Sequence, residues 1–139
     1  MNYWLFKSEP NTWGWDDQVA RGDKGEHWDG VRNYQASNNM KAMKVGDRGF
    51  FYHSVNEKRI VGIVEVIREY YPDHTDPKER FGMVDVKAVR PFVTPVTLED
   101  VKAEPRLADL PLIRQSRLSV MPIPKDAWDL ICQMGQTEP

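Results

Sequence analysis

The sequence predicts an α+β fold, a curved, mostly antiparallel sheet or open β-barrel with peripheral helices. Three observations lead there. Runs of β-branched and aromatic residues, separated by short turns, fill the middle of the chain. One of them, Ile60 to Tyr70, is apolar on both faces, with Ile60, Val64 and Val66 on one and Val61, Ile63 and Ile67 on the other. A strand of that kind lies inside its sheet. Helical spacing flanks this block and closes the chain.

The elements follow in order. Tyr3 to Lys7 is an aromatic first strand that ends before Pro10. Asn11 or Thr12 caps a helix that runs to Arg21 and stops at Gly22. Gly22 to Gly25 is loop. Asn33 caps a second helix with Ala36, Met40 and Met43 on one face, and Gly46-Asp47 turns the chain. Arg48 to His53 is a strand, Asn56-Glu57-Lys58 a turn, and Ile60 to Tyr70 the central strand. Pro72 to Lys78 is a polar loop, and Met83 to Phe92 alternates as the next strand. Pro95 or Thr97 opens a short helix with Leu98 and Val101 inward. Leu107 to Ile113 is apolar but interrupted by Pro111. Arg117 to Met121 is a short strand. Lys125 to Met134 is a last helix that buries Ala127, Leu130, Ile131 and Met134 and stops at Gly135.

Length and composition narrow the function. A chain of 139 residues is expected to form one domain, residues 1–139. A net charge of −2 does not suit a protein that coats long duplex non-specifically. Nucleic acid, if bound, is expected to use a local patch and one specific pocket. The single Cys132 has no internal disulfide partner, which points to a reducing compartment. The start Met1-Asn2-Tyr3-Trp4 lacks a signal-peptide pattern, and no apolar run reaches the ~18 residues of a span. A cytoplasmic protein with no membrane contact is expected. His27, His53, His74 and Cys132 are scattered, so neither a metal nor a cofactor is expected.

Catalytic patterns are weak. His53 and Ser54 are strand neighbours that point to opposite faces. No Gly-x-Ser-x-Gly elbow occurs, and Gly46-Asp47-Arg48-Gly49 is not a phosphate loop. The densest directional chemistry lies in Trp28-Asp29-Gly30-Val31-Arg32-Asn33-Tyr34, in Asn38, and in Tyr52-His53-Ser54. Trp28, Tyr34, Trp13 or Trp15 can stack on a flat ring. Asn33 and Asn38 can donate and accept along a base edge. Arg32 offers a planar cation for phosphate or base. Taken singly, each residue has a plainer use: Asn33 as a helix cap, His53 as a strand-end histidine, Trp4 and Trp128 as core. Their clustering in one loop, helix and strand favours a site.

These same residues carry a family resemblance. Tyr3-Trp4-Leu5-Phe6-Lys7-Ser8-Glu9-Pro10, Trp28 to Ala36, Gly49 to Ser54, Val61 to Val64 and Ser116-Arg117-Leu118-Ser119-Val120-Met121-Pro122 stand in the order found in EVE-domain proteins, and the chain resembles the bacterial members. Ser37 is a departure, where the family often has Arg. The resemblance implies a PUA-like fold akin to YTH and ASCH domains. It also implies a non-enzymatic nucleic-acid-binding domain that reads a modified base flipped into a pocket, such as methylated cytosine in DNA or a modified base in RNA. On that reading Trp28 and Tyr34 stack, beside Val31. Asn33, Ser8 and Ser54 hydrogen-bond the edge, while Arg32 and Arg117 meet the backbone. Asn38, Tyr52, His53, Ser116 and Ser119 complete the candidate set. Trp28→Ala and Asn33→Ala are then expected to stay folded and lose binding, and a monomer is expected. The competing readings are a hydrolase on modified nucleosides using His53 or Glu9, and a small-molecule-binding module.

Overall fold

The computed structural model describes residues 1–139. Its frame is one open sheet of six strands: β1 (Tyr3–Ser8), β2 (Glu26–His27), β3 (Arg48–His53), β4 (Arg59–Pro72), β5 (Gly82–Thr97) and β6 (Val120–Ile123). Their spatial order is β2-β5-β4-β3-β1-β6. Only β1 and β3 run parallel; the other neighbours are antiparallel. The helices are α1 (Trp15–Ala20), α2 (Tyr34–Lys41), α3 (Leu98–Ala103), α4 (Pro111–Arg114) and α5 (Lys125–Met134). None is long and apolar enough to cross a membrane.

The α+β, mostly antiparallel expectation holds, and β4 lies inside the sheet between β3 and β5. Ile60, Ile63, Val64 and Val66 are fully buried, as a strand covered on both faces requires. The register of β4 against β5 shifts at several points, and such irregularities bend a long ribbon. Three strands differ from the sequence reading, which had none at Glu26–His27. β5 continues through Pro91 and Pro95 to Thr97, because β2 pairs with it only at Asp85 and Val86. Beyond that point no strand pairs with its other edge, where only the Val93 and Thr94 amides are taken, by Thr137 and Gly135, and a missing N–H is tolerated. β6 lies at 120–123 rather than 117–121 and carries Pro122 on the sheet's outer edge.

Aromatic packing fixes the helices. Trp128 of α5 stacks on Phe50 at 3.9 Å and on Tyr3 at 4.6 Å between centroids. It shares the core face with Ala127, Ile131 and Cys132, while Leu130 and Met134 are only partly buried. Burial pushes the Cys132 thiol up to about 12, so it behaves as a small apolar side chain. Trp4 is buried, and its ring N–H donates to Asp47 Oδ2 at 3.0 Å.

α1 begins at Trp15, later than a cap at Asn11 or Thr12. The amides of Thr12 and Trp13 are held by the Glu9 carbonyl in a turn, and the Asp17 carboxylate takes the Gly14 N–H at 2.8 Å. Trp15 then docks flat over Gly62, where a Cβ would sit 2.5 Å from its ring. Its amide donates to His53 Nε2 at 3.1 Å.

Gly25 governs the entry to β2. Its φ is +66°, and a Cβ there would stand 2.3 Å from the Val86 carbonyl oxygen. Gly25→Ala therefore combines a left-handed backbone with a backbone clash. It is expected to lower stability by roughly 2–4 kcal/mol, measured by urea denaturation. An unchanged midpoint would refute this close approach.

Candidate functional site

The main concavity lies where the end of β1, the turn before α1 and the segment 26–32 meet. Its volume is about 910 Å³. It is lined by Lys7, Ser8 and Glu9 at the end of β1, by Thr12 and Trp13 of the turn, and by Arg21, residues 26–32 and Ser119. The cavity exists because β1 stops at Ser8 while β2 turns away after His27. The Trp28 amide donates to the Val84 carbonyl at 2.8 Å, which ties the segment after β2 to β5.

Two tryptophans supply the aromatic surface. Trp28 is only 7% exposed and meets Phe6 and Phe51 edge-on at 5.1 and 5.6 Å. Trp13 is half-buried, and its ring N–H donates to Gln18 Oε1 at 3.0 Å. Gln18 is fully buried and donates in turn to the Val86 carbonyl at 3.0 Å, so Trp13 is fixed to the sheet through its neighbour. Val31 is buried beside them. Around these rings stand groups of both signs. Arg21 pairs with Glu26 at 3.5 Å, while the Glu9 and Asp29 side chains make no ion pair or hydrogen bond. Burial lowers the pKa of Lys7, whose ammonium donates to the Ser116 carbonyl at 2.9 Å.

The wall at 29–32 is held by one carboxylate. Asp73 accepts from the Gly30 amide at 2.9 Å, from Arg32 at 3.0 Å and from both the amide and hydroxyl of Thr75. Burial alone would raise its pKa. The bonds from Thr75, Gly30 and Arg32 outweigh that and bring it down to about 2. Arg32 also donates to Thr75 Oγ1 at 3.0 Å, so it braces the wall as well as lining it.

Thus Ser8, Trp28, Val31, Arg32 and Ser119 of the sequence set share one cavity. Asn33, Ser116 and Arg117 line a separate groove beside it. Tyr34 is 59% exposed and lies against Phe81 at 4.8 Å, outside the cavity lining. Asn33 Oδ1 accepts from the Ala36 amide at 2.9 Å, which is the plain helix cap. Asn38 is exposed on α2, and it is Asn39 that reaches the sheet, donating to the Val120 carbonyl. Tyr52 is buried, which pushes its hydroxyl up to about 12.

His53 uses both ring nitrogens: Nε2 accepts from the Trp15 amide, which leaves Nδ1–H to face Glu57 Oε1 at 3.2 Å. Ser54 does not line the cavity and is tied to it only by its amide, which donates to the Ser8 carbonyl at 2.9 Å. Ser37 is buried on Tyr70, its Oγ 2.9 Å from the phenol oxygen. The sequence reading named Glu9 only for the competing hydrolase and missed Thr12, Arg21, Glu26 and His27 as wall residues. They are far apart in sequence from Trp28's loop or lie on its unremarked N-terminal side, and only the sheet brings them together.

The EVE domain family model matches residues 2–134. The chain belongs to the EVE-domain family. This EVE domain is 36% identical to mouse thymocyte nuclear protein 1 over 170 aligned residues, covering 99% of the chain and 75% of the mouse protein. Among solved structures it resembles a Rhodopseudomonas palustris protein at 57% identity and a TM-score of 0.93, covering 98% of this chain and 94% of that one. It also resembles human THYN1, solved in complex with 5-methylcytosine-containing DNA, at 32% identity and a TM-score of 0.89, with both chains covered in full. The Mmi1 YTH domain shares the fold, with a TM-score of 0.58 at 13% identity, covering 96% of this EVE domain and 86% of that chain.

Proposed function

We propose that this EVE domain is a non-enzymatic reader of modified cytosine in DNA, taking the extruded base between Trp13 and Trp28. The observation that carries the reading is that two indoles, Trp13 and Trp28, and two unpaired carboxylates, Glu9 and Asp29, line one cavity. The human THYN1 complex with 5-methylcytosine-containing DNA gives the reading its ligand. Cytosine presents an exocyclic amine that a carboxylate accepts, and Glu9 and Asp29 are free to do so. Ser8 and Lys7 are placed to donate to the ring's acceptors. Val31 and the Trp28 face are the apolar surface for a 5-methyl group. Burying one methyl contributes roughly 0.8 kcal/mol, or about fourfold in affinity.

The protein needs no cofactor or metal for this and acts as a monomer. Its lone, buried Cys132 suits a reducing compartment such as the cytoplasm. The same cavity accommodates a modified base from RNA, so the test covers both sugars. Oligonucleotides carrying one cytosine or one 5-methylcytosine, in DNA and in RNA, are titrated by fluorescence anisotropy. The expected outcome is at least a fourfold preference for methylated DNA over its unmodified twin. Equal affinity for the two DNAs would overturn the reading.

A further inference from the structure

We propose that the groove beside the base cavity is a second subsite, which holds the phosphodiester next to the extruded base, with Arg117 as its cation. This rests on the reader function above and extends it from one base to a dinucleotide step. The groove has a volume of about 320 Å³, and its lining is almost wholly polar: Asn33, Gln35, Gln115, Ser116 and two arginines, with Leu118 the only apolar member.

Two strips of chain build the partition between groove and cavity. Val31 and Arg32 face the cavity while Asn33 lines the groove; Ser119 faces the cavity while Ser116 and Arg117 line the groove. Lys7 ties the partition together, its amide donating to the Ser119 carbonyl at 2.8 Å and its ammonium to the Ser116 carbonyl at 2.9 Å. On this proposal the strand that delivers a base into the cavity crosses the partition. Its next phosphate arrives over the groove.

The charges decide which residue meets it. Arg21 is neutralised by Glu26 and Arg32 by Asp73. Within the groove, Arg114 is held by Asp109 at 2.8 Å and by the Ala108 carbonyl. Arg117 alone among these four arginines makes no ion pair and no hydrogen bond. No acidic side chain lines the groove. An exposed guanidinium among amides and a hydroxyl suits a phosphate diester, which accepts from all of them and carries one negative charge.

The experiment compares the full chain with Arg117→Gln and Arg117→Lys, using a DNA duplex with a single 5-methylcytosine across a salt series. Arg117→Gln is expected to weaken binding about tenfold at low salt and to make the slope of log affinity against log salt shallower by about one. Arg117→Lys is expected to restore the slope. A slope in Arg117→Gln equal to that of the unaltered protein would overturn the subsite. So would inorganic phosphate displacing the duplex at constant ionic strength as effectively as unlabelled duplex, since the site would then be one for a free anion. If the unaltered protein shows no preference for methylated DNA, the reader function itself falls. If that preference stands and the slopes coincide, only the subsite falls.

Discussion

Trp13→Ala is expected to weaken binding of 5-methylcytosine DNA by roughly five- to 150-fold while leaving the domain folded. Stacking a base on an aromatic ring contributes ~1–3 kcal/mol, which spans that range. Trp13 is the better probe of the two indoles because it is half-buried and fixed by a single hydrogen bond to Gln18. Trp28 is packed edge-on against Phe6 and Phe51. Its truncation is expected to remove roughly 3–5 kcal/mol of stability, so lost binding in Trp28→Ala would not separate unfolding from lost stacking. Trp13→Phe keeps an aromatic face and loses only the N–H, and is expected to retain most of the affinity. Circular dichroism establishes the fold of each variant, and anisotropy its affinity. Trp13→Ala with unaltered affinity and a native melt would remove Trp13 from the site. Tyr34→Ala serves as the contrast, since its exposed ring lies on Phe81 away from the cavity.

Asp73→Asn is expected to destabilise the fold by roughly 2–4 kcal/mol and to weaken base binding with it. The carboxylate is buried, with no exposed side-chain surface, and takes bonds from Gly30, Arg32 and Thr75. An amide of the same shape presents a donor where only acceptors fit, and leaves Arg32 without its counter-charge. Segment 29–32 then loses its brace, and the cavity its far wall.

The pH dependence follows from the same carboxylate. Its pKa falls from an ordinary 3.8 to about 2 on folding. The unfolded chain thus binds the proton more readily. The stabilisation is complete above about pH 4 and is lost as pH falls from there towards 2. Its size is about 2 kcal/mol. Urea titrations at a series of acidic pH values measure it as the difference in slope between the unaltered protein and Asp73→Asn. Coincident slopes would show that Asp73 does not carry this network.

Much of the fold was legible because hydrophobic period depends on neighbours in sequence. Ile60 to Tyr70 reads as a central strand from its own two apolar faces, and α5 reads as a helix from its spacing. The departures share a cause. Pro91, Pro95 and Pro122 break strands by local rule, yet each lies where no further strand pairs with the sheet edge, and that is a property of the assembled sheet. α1 starts late because Glu9 and Asp17 claim the amides of the first turn, a competition that capping propensity does not report.

The site shows the same division. The sequence alone determined the family, the α+β class, and the loop at 28–32 as the place where aromatic and polar chemistry concentrates. Local composition and ordered motifs suffice for that. Only the tertiary structure decided which of those residues face one another. It turned Tyr34 outward, closed both nitrogens of His53, and brought Lys7 of β1, with Glu9 and Trp13 of the turn that follows, into one cavity with Trp28. The reason is geometric: a cavity is made by the register of β1 and β2 against their neighbours. That register is set by buried contacts such as Trp15 on Gly62 and Gly25 on Val86, between residues far apart in the chain.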